Sequence, residues 1–382
     1  MAVRRLSSRY LRWTAVRLAT RAFAALKKKL PFYDHVISLR DGGETEIAGE
    51  RQSISLSPEE ARFAARFDKP VPPVVERSIA LVKLSGATVL GNTGAVIDEA
   101  RGVLFQSHYA AARYAPGVAS YHDFLDRPSR LIDKPPANYF TMVGEDRGHR
   151  HYFHFLFDRL PRLHYLLQHF AVGREPLVVL TNADLPMFQR DIYRFLAEQH
   201  PNLSFVAVPE DERWLLPTLY LIDEDQPVRR TLLGADTVQL IRNLVFEGYG
   251  IAPKPASRRL YINRSDARKR RIVNEAEIWP LFEARGFESV AAATLSFEAQ
   301  IALFAEAAVV AGPHGAGFAN MLFAPEGARL IEIVNLEKVK DTYLLLAKSL
   351  GQRHSAVIGS QGDRNEWFRA DPQAIEVALA DL

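Results

Sequence analysis

The sequence predicts an α/β fold of two doubly wound units facing a cleft, with a small β unit and a basic helix ahead of them. Three observations carry this. From about residue 150 onward, short apolar runs of strand length alternate with longer stretches of helix length. A Gly/Pro segment (Gly248, Gly250, Pro253 and Pro255) divides that alternation into two blocks. In the second block an apolar strand runs into a glycine-rich turn, where open α/β sheets hold their ligands.

The elements follow in order. Residues 1–30 carry nine basic side chains and no acid, so the whole-chain net charge of +3 leaves −6 on the remainder. That balance excludes a nucleic-acid protein built on a uniformly basic surface. Arg17 and Arg21 interrupt every apolar run of the leader, which excludes a secretory signal. On a helical wheel Leu11, Ala15, Leu18, Ala22, Ala25 and Leu26 share one face, opposite Arg17, Arg21 and Lys28. Such a helix either lies on an anionic membrane or packs on the body with a solvated basic back. No stretch is long and uncharged enough to cross a membrane. The chain has no cysteine, which removes disulfides, iron–sulfur clusters and thiolate zinc sites.

Ser57 before Pro58 reads as a helix start, and Pro70, Pro72 and Pro73 break the chain. Apolar runs at 79–84, 87–90, 95–97 and 103–105, split by glycines, predict a small antiparallel β unit, and 111–140 reads as an irregular connector. Strands are expected at 177–181, 203–208 and 214–222, with helices at 186–199 and 230–247. Past the linker, strands are expected at 259–262, 287–291, 308–312, 330–334 and 354–358. Helices are expected between them at 274–285, 296–307 and 342–350, and at 372–381. The divisions are 1–74 for the leader and extension, 75–149 for the β unit and connector, 150–249 for the first block and 250–382 for the second.

Three constellations carry chemistry. Gly312-Pro313-His314-Gly315-Ala316-Gly317-Phe318-Ala319-Asn320 follows a strand and opens a helix. Small residues let backbone approach a ligand, and a helix start offers N–H groups to a phosphate. The same turn also serves tight helix–sheet packing. Arg258 to Arg271 holds seven basic residues. Arg258, Arg268, Lys269 and Arg270 read as a solvated face. Arg264, just past a strand end, and Arg271 read as diphosphate ligands. Asn274 reads as a cap of the next helix. His151 to Leu163 combines two His, one Asp and two Arg with Pro161. If helical, it sets His154 and Asp158 at i and i+4, a carboxylate-supported imidazole suited to general base work. His154 alone would read as a core histidine and Asp158 as a cap. Pro161 should kink this helix or begin one. Asp223-Glu224-Asp225 has the form of an Asp-x-Asp metal motif, too short a match to expect a metal there.

These segments, in this order, resemble the bacterial branch of glycosyltransferase family 61, often linked to capsular or surface polysaccharide biosynthesis. The resemblance rests on His-x-x-x-Asp-x-Leu-Pro-Arg-Leu at 154–163, Arg-Leu-Tyr-Ile-x-Arg at 259–264 and the Arg-rich run to Asn-Glu at 268–275. It continues through Gly-Phe-Glu at 286–288, Leu-Ser-Phe-x-x-Gln at 295–300, the 312–323 turn and Ile-Glu-Ile at 331–333. His151 is a departure, since Asn is frequent there. The resemblance implies a GT-B fold with donor in the C-terminal half and acceptor in the N-terminal half. It implies inverting, metal-independent transfer from a nucleotide sugar, UDP-linked in known members, to a glycan or lipid-linked glycan. On it, His154 or Asp158 is the base. Arg264, Arg271 and the 314–317 turn (His314, Gly315, Ala316, Gly317) hold the diphosphate, Asn320 contacts the donor, and Glu332 holds the ribose or is a buried structural acid. No cofactor and no nucleic-acid partner are expected. The expected location is the cytoplasm, peripherally on the inner face of the membrane through residues 1–30. The alternative is a non-catalytic protein of the same fold that binds nucleotide sugar or polysaccharide.

Overall fold

A computed structural model describes residues 35–38, 43–67, 69–91, 94–98, 103–106, 130–144, 150–170, 175–224, 231–252, 254–264 and 267–382. The basic leader at 1–30 and Asp225 lie outside the described residues. Among the described residues, strands form two sheets.

The first sheet holds ten strands: β1 (His35–Ser38), β2 (Glu44–Ser53), β3 (Val74–Leu90), β4 (Val96–Asp98), β5 (Val103–Gln106), β6 (Arg130–Asp133), β7 (Asn138–Thr141), β8 (Leu177–Asn182), β9 (Leu203–Val208) and β10 (Glu212–Glu224). Part of it is the parallel run β10-β7-β8-β9. Numbered by chain order within the set, that is 4-1-2-3, so the order reverses between β7 and β10. Two expectations change here. The runs at 79–84 and 87–90 are one strand, β3, paired antiparallel along β10. Gly86, at φ +65°, falls opposite Pro217, which has no N–H to give, so the two residues absorb an irregularity without ending the strand. The expected connector also contains β6 and β7, and β7 is the first strand of the parallel set. Pro135 and Pro136 conceal it by flanking a run of only four residues.

The second sheet is all parallel: β11 (Arg258–Ile262), β12 (Phe287–Val290), β13 (Ala307–Pro313), β14 (Arg329–Val334) and β15 (Arg353–Ile358). The order β12-β11-β13-β14-β15 is 2-1-3-4-5 by chain order, with its reversal between β11 and β13. Every residue of β14 is buried, as a central parallel strand covered on both faces requires.

The helices are α1 (Pro58–Ala64), α2 (Leu160–Phe170), α3 (Met187–Gln199), α4 (Ala235–Tyr249), α5 (Glu275–Glu283), α6 (Phe297–Ala305), α7 (Thr342–Ser349) and α8 (Pro372–Ala378). Ser57 caps α1 in a full capping box with Glu60, and Ser296 caps α6 through Ala299 N at 3.1 Å. Asn274 starts α5 without capping it. Its amide instead bonds both backbone groups of Ala370 at 2.9 Å, tying α5 to the C-terminal segment.

One hydrophobic cluster contains core residues of both sheets. At its margin the Phe297 ring lies 5.7 Å from those of Tyr152 and Phe188 and 5.8 Å from Tyr249. Burying a Phe side chain is worth about 1.5–3 kcal/mol, so this contact holds the two halves in register.

Candidate active site

The segment after β7 builds the first half of the site. Tyr152–His154 form one helical turn, Phe155–Arg159 form a π turn, and α2 continues. Pro161 gives the reason. It cannot donate to the carbonyl one turn back, and the Leu160 N–H bonds five residues back to Phe155 instead. The regular α-helix thus starts at Leu160, one residue ahead of Pro161, as a proline at a helix start allows. The widened turn comes before it.

His154 Nδ1 lies 2.6 Å from Asp158 Oδ2. The imidazole is 30% exposed and the carboxylate 1%. Asp158 therefore stands behind the ring, and a proton kept on Nδ1 makes Nε2 the basic nitrogen. The His151 ring lies 4.6 Å from that of His154, inclined at 52°. The neighbouring Phe155, Leu156 and Phe157 are core.

The second half sits where the order of the parallel sheet reverses. Arg264 follows β11 and the His314–Gly315 turn follows β13, so both lie at the crevice between those strands. A Cβ on Gly315 would overlap Arg264 Nη1. Gly315 has an extended φ of −176°, so glycine is needed there for space and not for conformation. Gly312 differs. It sits at φ +146°, and a Cβ there would press on the Ile262 carbonyl. Gly317 leaves room for Ile262. The expected helix from Ala316 is a 3-10 helix, Ala316–Phe323, with Ala316 at its first position. Arg264 Nη2 donates to Lys269 O and Arg271 Nε to Arg264 O, both at 3.3 Å, so the basic loop folds back on itself. Arg264, Arg271, Ile272, Glu275 and Trp367 line a cleft of about 310 Å³.

Two expected ligand contacts are placed elsewhere. Glu332 is fully buried, with one oxygen bonded by His314 Nδ1 and the other by His354 Nε2 at 2.9 Å. It is thus the buried acid of the two readings, bonded to two imidazoles and not to a helix start, and it supports His314. Asn320 is also fully buried. It accepts from the Tyr152 hydroxyl and donates to Gln300 Oε1 at 2.8 Å, so its amide is spent on joining the halves. That bond nonetheless serves the site, because Tyr152 begins the turn that carries His154. The Phe153 ring then lies 6.2 Å from Tyr343, which lies 5.1 Å from His314. These contacts bring the turn that carries His154 against the segment that follows His314.

Sequence reasoning missed three residues. Tyr343 donates to Gly315 O at 2.5 Å, and burial pushes its phenol well up, so it stays a donor. Trp367 lies with its ring 5.4 Å from the Arg271 guanidinium. A lone aromatic in the polar run 361–367 was its only signal. His354 carried none beyond its place at the start of a strand.

Burial alone would raise the Glu332 carboxyl, but the two imidazoles hold it down to about 2 from an ordinary 4.5. The folded chain then binds fewer protons than the unfolded one in that window. Stability from this group is complete above about 4.5 and is lost as the pH falls toward 2. Glu332→Gln is expected to lower stability at neutral pH by about 3 kcal/mol. It should also flatten the acid-side loss, which thermal melts of both chains at constant ionic strength would measure.

Residues 152–331 match the family model described as Glycosyltransferase 61, a span that holds His154, Asp158, Arg264, Arg271 and the 314–317 turn. The match supports a glycosyltransferase enzyme, with a sugar donor and an acceptor as its substrates. No curated protein matches the chain. No helix among the described residues is long and apolar enough to cross a membrane.

Proposed function

We propose that the chain transfers a sugar with inversion from a UDP-linked donor to a glycan or lipid-linked glycan, as bacterial surface-polysaccharide enzymes do. The reading is supported by a carboxylate-backed imidazole on a segment that packs against the second half, and by two guanidiniums and a glycine-rich turn at the strand reversal of that half. A GT-B arrangement fits the two parallel sets, each with its order reversal near these residues. The donor belongs to the second half and the acceptor to the first.

Direct displacement needs a base and a sink for charge. His154 Nε2 takes the proton of the acceptor hydroxyl while Asp158 holds the ring. The hydroxyl oxygen bonds the anomeric carbon from the face opposite the diphosphate, and the bond from that carbon to the diphosphate oxygen breaks. One displacement inverts the centre. The leaving oxygen's charge meets Arg264, Arg271, His314 and the backbone N–H groups of the turn. Two guanidiniums supply cationic charge that a metal supplies in other transferases, which favours a metal-independent reaction. His314 Nε2 faces the diphosphate because Glu332 engages Nδ1. The basic leader would hold the enzyme at an anionic membrane beside a lipid-linked acceptor.

A panel of nucleotide sugars tests this. A true donor is expected to raise the melting temperature by mass action and to release its nucleoside diphosphate only when acceptor is present. Stabilisation by UDP sugars without turnover across a broad glycan panel would count against transfer.

A further inference from the structure

The His314–Glu332–His354 chain does not end at the active site. His354 is 3% exposed and spends Nε2 on Glu332. Its other nitrogen, Nδ1, is buried with no hydrogen-bond partner among the described residues. That ring lies against a cavity of about 220 Å³ between α1 and β15, on the far side of Glu332 from His314. Arg62 and Arg66 line the same cavity, four residues apart and both exposed. Phe63 stacks 5.3 Å from the imidazole and forms an apolar wall. Two acids also line it. Glu60 is neutralised by Lys348 at 2.6 Å and by the capping bond to Ser57 N, which leaves Glu59 against two guanidiniums.

We propose that this cavity is a second anion site, which takes a small phosphate-bearing molecule between Arg62 and Arg66 with one oxygen on His354 Nδ1. The chemistry is selective. Guanidiniums match phosphate oxygens, and a buried ring nitrogen without a partner costs free energy until something meets it. An anion there favours the doubly protonated ring, with Nδ1–H toward the ligand and Nε2–H toward Glu332. His354 then draws more strongly on the one carboxylate that also supports His314. Given the diphosphate reading of His314, the two anion sites oppose each other, and each weakens the other by the same factor.

Inorganic phosphate is the probe, titrated by calorimetry into the full chain carrying Arg264→Ala, which cripples the diphosphate site. One phosphate site is expected to remain. Adding Arg62→Ser and Arg66→Ser should weaken it by about tenfold or more. His354→Gln keeps a donor for Glu332 and removes Nδ1, so it should also weaken phosphate while the chain still melts cooperatively. No binding to the Arg264→Ala chain, or equal affinity in all three, would overturn the site. The linkage is read on the chain with Arg264 intact. UDP affinity should fall as phosphate is added, and Arg62→Ser with Arg66→Ser should abolish that fall. A fall that persists in the double variant is direct competition at the diphosphate. It would overturn the linkage while leaving the second site to the first measurement.

Discussion

His154→Ala is expected to lower the transfer rate by about 10²–10⁴-fold, the usual contribution of a positioned general base. UDP binding should be unchanged, because His154 belongs to the first sheet's wall and the diphosphate to the second's. Folding should survive, since the ring is 30% exposed and its removal opens no core cavity. Asp158→Asn tests the division of labour. An amide at 158 accepts from Nδ1–H through its oxygen but carries no charge for the imidazolium that forms. It should therefore lower the rate substantially, with less loss than His154→Ala. The reverse ranking, a mild His154→Ala and a severe Asp158→Asn, would make Asp158 the base. Single-turnover assays with bound donor, alongside UDP calorimetry, separate the rate from the binding.

That pair was legible in the sequence because a spacing of four within one helix is a local fact. The π turn beneath it was not foreseen, though Pro161 was on view. Proline removes a donor, and how the preceding turn answers depends on packing around Phe155 and Phe157. The second block read well for a similar reason. Its central strands β13 and β14 are covered on both faces, so they appear as nearly continuous apolar runs. The first sheet was harder. β3 looked broken at Gly86 because a glycine in a strand reads as a turn unless its partner is known. β7 hid as four residues between a Pro pair and a polar segment. Neither fault is local, since both are settled by pairing with β10.

The roles of Glu332 and Asn320 illustrate the same limit from the other side. Both residue types, placed at strand and turn ends, suit sugar and phosphate contacts. Sequence could not reveal that His354, in the neighbouring strand, takes the second Glu332 oxygen. Nor could it reveal that Tyr152, from the other half of the chain, takes Asn320. A polar side chain is available to a ligand only if no closer partner claims it, and those partners come from the tertiary fold.

Arg264 and Gly315 allow the sharpest test of the diphosphate assignment. Arg264→Ala is expected to weaken UDP binding by about 10- to 100-fold, the worth of a charge-assisted bond or two. Gly315→Ala leaves every charge in place. Its φ of −176° suits alanine as well as glycine, so the substitution carries no backbone cost. The new methyl instead occupies the space of Arg264 Nη1 and must push the guanidinium off the turn. Affinity should fall about tenfold from misplacement alone, with melting temperature nearly unchanged. The two substitutions should then fail to add. Once Arg264 is alanine, the methyl meets nothing, and the double variant should bind UDP as weakly as Arg264→Ala and no more weakly. Additive losses across the cycle would mean that Gly315 acts through its own backbone and that Arg264 binds independently of the turn. Full non-additivity would tie a cation after β11 to a turn after β13 as one phosphate-binding unit, which is what the reversal of strand order between them sets up.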